Sequence, residues 1–190
     1  VQADVSTRAG CEVAVAAGEQ LGGVDLLVNN AGIFPRTPLL DLTDDEFSTV
    51  LDTNLGSTFR CTQLVARGLV ERKRSGAIVN LASIAAYRPS PRGAHYAASK
   101  AGIVGFTHTA AVELGPHQIR INSVAPGLVD TAQPRYGMTE DEIATASASV
   151  PLGRMATPGD IADVVVFLLS DQARHVTGQT LHINGGQYTV

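Results

Sequence analysis

Several function classes find little support in this sequence. Its 190 residues hold only two cysteines, Cys11 and Cys61. They lie far apart within helical patterns, so they form neither a metal-ligand spacing nor a disulfide framework. There is no excess of basic residues. The formal net charge is -4, and a nucleic-acid surface needs a basic stripe. The single basic run, Arg72-Lys73-Arg74, falls where a helix should end and complements the helix dipole there. No apolar run reaches the roughly 18 residues of a membrane span, and no secretory signal is visible. The chain therefore reads as soluble and cytoplasmic, with neither membrane nor nucleic acid as a partner. No short repeat period and no long polar linker are visible. What is present is a globular composition. The chain is 44% hydrophobic and 17% charged, which supports a real core and excludes a disordered tail. The length fits one domain over residues 1–190.

The most informative stretch is Tyr96-Ala97-Ala98-Ser99-Lys100. A tyrosine and a lysine four residues apart share one face of a helix. A free phenol has a pKa of about 10, so at pH 7 only about one in a thousand is ionised. A nearby ammonium favours the phenolate. A phenol tuned in this way serves as a general acid or base near neutrality.

The chain alternates in period. Val1 to Val5 reads as the tail of a strand. Ser6 or Thr7 caps a helix to about Leu21, and Gly22-Gly23 stops it. Val24 to Asn29 is a short apolar run suited to a strand covered on both faces. Thr43 with Glu46 forms a capping box opening a helix to about Arg72. Asn54 sits deep inside that helix, where it either points to solvent or marks a local distortion. Ala77 to Ser83 is a second buried strand, with Ser83 at the carboxyl end where open parallel sheets bind ligands. A proline-rich loop from Arg88 leads to the helix of Tyr96 and Lys100, which ends near Gly115-Pro116. Ile119 to Val124 is a third strand. Leu128 to Val150 reads as a mobile loop over the site, with a weak helix from about Thr139. Thr157-Pro158-Gly159-Asp160 opens another helix, and Thr177 to Gly186 holds a last strand. This order predicts an α/β fold, a doubly wound parallel sheet with helices on both faces.

Seven motifs in order resemble the short-chain dehydrogenase/reductase family, and in particular its 3-oxoacyl-reductase-like members. They are Asp4-Val5, Asn29-Asn30-Ala31-Gly32, Asn54, Ser83, Tyr96-x-x-x-Lys100, Pro126-Gly127-x-Val129-x-Thr131 and Thr177-Gly178 with Asn184-Gly185-Gly186. The resemblance covers nearly the whole chain. It implies a Rossmann-like three-layer fold and hydride transfer between NAD or NADP and an alcohol or ketone. By resemblance, Tyr96 moves the proton, Ser83 binds the substrate oxygen, Lys100 lowers the Tyr96 pKa and binds the nicotinamide ribose, and Asn54 holds a relay water. Asp4 and Val5 would meet the adenine, and Asn30, Ala31 and Gly32 the adenosine ribose side. Val129 and Thr131, after Pro126 and Gly127, would hold the carboxamide and nearby phosphate.

The family's opening strand, its G-x-x-x-G-x-G turn, its first helix and its second strand are not among these residues. The turn cradles the pyrophosphate, and the end of the second strand decides NAD versus NADP. The expectation is a piece of a longer chain, with the Val24–Asn29 strand left as an apolar edge. An alternative expectation is a non-catalytic scaffold that binds no dinucleotide. The resemblance also implies a homotetramer or homodimer, with the helices Asp44–Arg72 and Tyr96–Leu114 as interface. His95 is expected to face solvent from the first helical turn, and His108, His117, His175 and His182 to be structural. No metal site is expected. No recognition group identifies the substrate.

Overall fold

The computed structural model describes residues 1–189, with four parallel strands in the order β1-β2-β3-β4. They are Leu26–Asn29, Gly76–Leu81, Ile119–Pro126 and Thr180–Ile183. The register sets Asn29 beside Asn80 and Asn80 beside Ser123. Each crossover contains a helix, as parallel pairing requires. Helices α1 (Arg8–Glu19), α3 (Ser57–Glu71) and α4 (Ala94–Leu114) cover one face. There Val65, Leu69, Ala110 and Ala111 meet Ile78, Ile119 and Ile121 of the strands. Helix α7 (Pro158–Leu169) covers the other, with Leu168 packed on Val79 and Val124. Successive strand residues thus bury on opposite faces, which explains why β2 and β3 read as unbroken apolar runs. No described helix is long and apolar enough to cross a membrane.

Thr7 caps α1 through its side chain, which accepts from the Gly10 amide. Gly22 and Gly23 end that region with φ near +109°, a conformation open to glycine. The expected strand tail at Val1–Val5 is not formed. The segment has no pairing partner among the described residues, and the Asp4 carboxylate accepts from the Ser6 amide and hydroxyl, turning the chain. The outer edge of β1 has no strand partner among the described residues, and Leu26 and Val28 are exposed there, as the sequence predicts. The basic run forms ion pairs: Arg72 with Glu19, and Arg74 with Asp25 at 2.6 Å. Cys11 and Cys61 are buried and reduced, and burial beside the Cys11 thiol pushes the Cys61 thiol up to about 12.

A polar net crosses the core. Asn29 donates to Thr62 at 3.0 Å and to Asn80 at 2.8 Å, and Asn80 donates to Thr107 at 2.9 Å. It ties β1 and β2 to α3 and α4. A satisfied buried network fixes register where an apolar contact would let strands slide.

The Leu128–Val150 segment is more ordered than a mobile loop. It contains α5 (Ala132–Arg135) and α6 (Glu140–Ala148). Thr139 and Glu142 form a reciprocal capping box, and Ile143 is buried. The segment is bridged to the chain ahead of α7 by the Val129–Ala156 pair.

Candidate active site

The carboxyl ends of the strands open into a cleft of about 710 Å³. Ser83 stands just beyond β2, extended, and caps the short turn Ile84–Ala86 by accepting from the Ala85 amide at 3.1 Å. Tyr96 and Lys100 enter from the first turns of α4, on one face as the four-residue spacing predicts. Of the residues singled out in the sequence, Asn30, Gly32, Ser83, Tyr96, Lys100, Pro126, Gly127, Val129 and Thr131 line the cleft. Ala31 does not, and neither do Asp4 and Val5. Asp4 is exposed, and the Val5 carbonyl accepts from the Cys11 thiol at 3.2 Å.

Asn54 resolves the choice left by the sequence. The helix from Asp44 is interrupted at Asp52–Gly56 by a π-turn between α2 (Asp44–Leu51) and α3. Such a turn slips the ladder by one residue and frees backbone groups. The Asn54 carbonyl then accepts from the Thr58 hydroxyl at 2.8 Å. Its fully buried side chain accepts from the Ile33 amide at 2.8 Å. It also donates to the Ile33 carbonyl and the Ser99 hydroxyl, both at 3.0 Å. Ser99 in turn donates to the Tyr96 carbonyl at 2.8 Å. Asn54 thus anchors the segment after β1 to the helix carrying the tyrosine. Replacing Asn54 by Ala should cost about 2–3 kcal/mol of stability, because three hydrogen bonds lose a partner. An unchanged urea midpoint would remove this anchoring role.

Electrostatics depart from the simple phenol-and-ammonium picture. Lys100 is 5% exposed and donates to the Leu81 carbonyl at 2.6 Å. Its nitrogen lies 5.5 Å from the Tyr96 ring centroid. Burial pulls its pKa down to about 8. Burial also pushes the Tyr96 phenol above its usual range, opposed by the Ser83 and Gln133 side chains beside the hydroxyl. The lowering of the tyrosine pKa by Lys100 that the resemblance implies is not found: desolvation, the largest influence on the phenol, outweighs the Ser83 and Gln133 side chains. A neutral phenol is the form that donates a proton. Phe34 stacks on Tyr96 with centroids 4.1 Å apart and fixes the ring.

His95 is also corrected. It is fully buried rather than solvent-facing, and its Nε2 meets Glu46 Oε1 at 3.2 Å. Glu46 accepts from Thr37 at 2.6 Å as well, so only the Thr43 half of the expected capping box at α2 is formed. Residues missed from the sequence are Phe34, Gln133 and Gln187. Gln187 accepts from the Leu128 amide at 3.0 Å and holds the segment after β3. Phe34 lies two residues after the Asn30-Ala31-Gly32 turn, a position that signals the cleft wall; Gln133 and Gln187 carry no such signal.

A nicotinamide dinucleotide fits on two observations. The buried Lys100 ammonium has one acceptor among the described residues and further donors directed at the cleft. Gly32 lines the cleft beside it, where a Cβ would fall 3.2 Å from Asn54 Oδ1 and 3.7 Å from the Lys100 nitrogen. The family model described as enoyl-(acyl carrier protein) reductase, of the short-chain dehydrogenase group, matches residues 1–188. The chain belongs to the short-chain dehydrogenase/reductase family. It is 42% identical over 172 residues to a 3-oxoacyl-(acyl-carrier-protein) reductase of Vibrio cholerae, covering 90% of this chain and 70% of that one. Identity to the Staphylococcus epidermidis protein of the same name is 44% over 169 residues, or 89% and 68% of the two chains. A solved short-chain alcohol dehydrogenase from Sinorhizobium meliloti superposes with a TM-score of 0.92 at 37% identity, over 98% of this chain and 74% of that one. A 4-hydroxyisoleucine dehydrogenase mutant solved with NADH and succinate superposes equally well, at 35% identity, over 98% and 78%. This short-chain dehydrogenase is thus an NAD(P)-dependent oxidoreductase of a Rossmann-like fold, working on hydroxyl or keto groups of small molecules.

Proposed function

We propose that the protein reduces the ketone of a 3-oxoacyl-type compound to the alcohol, with Tyr96 as proton donor. The observation that carries this is a neutral, buried phenol at the cleft floor with Ser83 beside its hydroxyl. Ser83 and the phenol offer two donors to one carbonyl oxygen, which polarises the carbonyl and orients it. The phenol proton passes to that oxygen as negative charge develops there. Lys100 holds positive charge beside the resulting phenolate, which is then reprotonated from solvent. A nicotinamide held in the cleft would supply the hydride needed at the carbonyl carbon. Lys100 would hold its ribose, and Val129 and Thr131, after Pro126 and Gly127, its carboxamide side. Asn30 and Gly32, with Ala31 between them, would take the adenosine ribose side, and Asn54 the relay water.

The relatives named 3-oxoacyl reductases support the substrate class. The same reading includes NADP or NAD as cofactor. It also includes a homodimer or homotetramer joined through α3 and α4, which expose Phe59, Val70 and Val112. A fluorescence titration of the purified protein with NADH and with NADPH tests the cofactor. Saturable binding of one is expected, and the tighter of the two is the working cofactor. Binding of neither would end the reading for this chain.

A further inference from the structure

The cleft walls carry charge of one sign. Arg36, Arg88 and Lys100 are among the described residues lining it, and no Asp or Glu is. This imbalance stands out in a chain of net charge -4. Lys100 lies at the floor, engaged with the Leu81 carbonyl. Arg36 and Arg88 lie apart from it, on the segments that follow β1 and Ser83.

Arg36 is tied to the reacting tyrosine through Phe34. The phenylalanine ring stacks 4.1 Å from Tyr96, and the Arg36 guanidinium carbon lies 5.9 Å from the Phe34 centroid. The guanidinium is therefore at most about 10 Å from the phenol ring. One of its nitrogens donates to the Gly137 carbonyl at 2.9 Å, and its Nε has no hydrogen-bond partner among the described residues. Among the described residues, five of the twelve arginines (Arg60, Arg72, Arg74, Arg135 and Arg154) have a carboxylate within ion-pair distance; Arg36 and Arg88 are among the seven that do not, and they are the two of these that line the cleft. Two acids near Arg36 are already hydrogen-bonded, and the Thr139 hydrogen bonds, with the Arg36 charge only adding to them, hold the Glu142 carboxyl below its usual range. Glu142 accepts from the Thr139 amide at 2.7 Å, and Glu46 from Thr37 and His95. A guanidinium with free donors on a cleft wall is a ready partner for a carboxylate or phosphate.

We propose that the substrate carries an anionic oxygen group, seated by Arg36 and Arg88 while its carbonyl meets Ser83 and Tyr96. The inference rests on the reading of Tyr96 as proton donor. The charge and the reacting carbonyl are held at opposite ends of one wall, so the two arginines select among oxo compounds without touching the chemistry.

Three matched compounds test it: 3-oxohexanoate, its neutral ethyl ester and its coenzyme A thioester. Binding is titrated in Tyr96→Phe protein with reduced cofactor, where no turnover interferes. Turnover is measured in the unaltered protein. The acid or the thioester should bind about tenfold or more tighter than the ester. Arg36→Met and Arg88→Met together should remove that preference while ester binding stays put. A stronger acid points to a carboxylate on the substrate itself, and a stronger thioester to the phosphates of a carrier. Equal binding of all three, no binding of any, or a preference that survives both substitutions overturns the proposal. Selective binding without any turnover would instead end the reading of Tyr96 as proton donor to a 3-oxoacyl ketone and leave the anion site standing.

Discussion

Tyr96→Phe should lower kcat about a thousandfold and leave cofactor affinity unchanged. General acid catalysis by a placed side chain contributes roughly 10²–10⁴ in rate, and a thousandfold loss corresponds to about 4 kcal/mol of barrier. The substitution removes one oxygen and keeps the ring that Phe34 packs against. Ser83 remains to bind the substrate oxygen, so KM should move far less than kcat. Folding should move by less than about 1 kcal/mol, since the side chains acting on the hydroxyl are those of Ser83 and Gln133. Retained turnover would remove Tyr96 as the proton donor. The raised phenol pKa adds a pH signature. Reduction needs the protonated form, so the reductive rate should hold through neutral pH and fall only on the alkaline side. A rate already falling between pH 6 and 7 would contradict a buried neutral phenol.

The Tyr96–Lys100 spacing was legible because it is a local property of a helix: the backbone period alone places the two side chains on one face. The parallel sheet was legible for a similar reason, since β2 and β3 lie under helices on both sides and so read as continuous apolar runs. Asn54 was legible as a poor helix former, and the π-turn is the distortion that its presence signalled. What failed depended on partners far along the chain. Glu46 matches a capping box three residues after Thr43, yet Thr37 and His95 compete for its carboxylate and win. A first-turn position suggests that His95 faces solvent, but Glu46 of α2 meets its ring and the side chain is fully buried. Gln133 reaches the phenol from a short helix after β3, and nothing in its neighbourhood marks it. The sign of the tyrosine shift also escaped. Spacing shows that a cation is near, but only burial shows how much both groups lose by leaving water.

Lys100→Met should make the protein more stable and less active at once. Burial lowers the lysine pKa from 10.5 to about 8, which corresponds to about 3 kcal/mol of penalty for holding the charged form at neutral pH. Below pH 8 both folded and unfolded chains keep the proton, and the folded state bears the whole penalty. Between about pH 8 and 10.5 the unfolded chain binds more protons, so stability rises with pH in that window. Methionine fills a similar volume without the charge and loses only the bond to the Leu81 carbonyl, about 1 kcal/mol. The net gain should be about 2 kcal/mol at pH 7, read as a higher urea midpoint, and it should shrink by pH 9.5. Turnover and cofactor affinity should both drop, because the donors directed at the cleft are gone. That opposition of sign separates a functional lysine from a structural one. A less stable Lys100→Met protein at pH 7, or one with full cofactor affinity, would show that the buried ammonium serves the fold rather than the reaction.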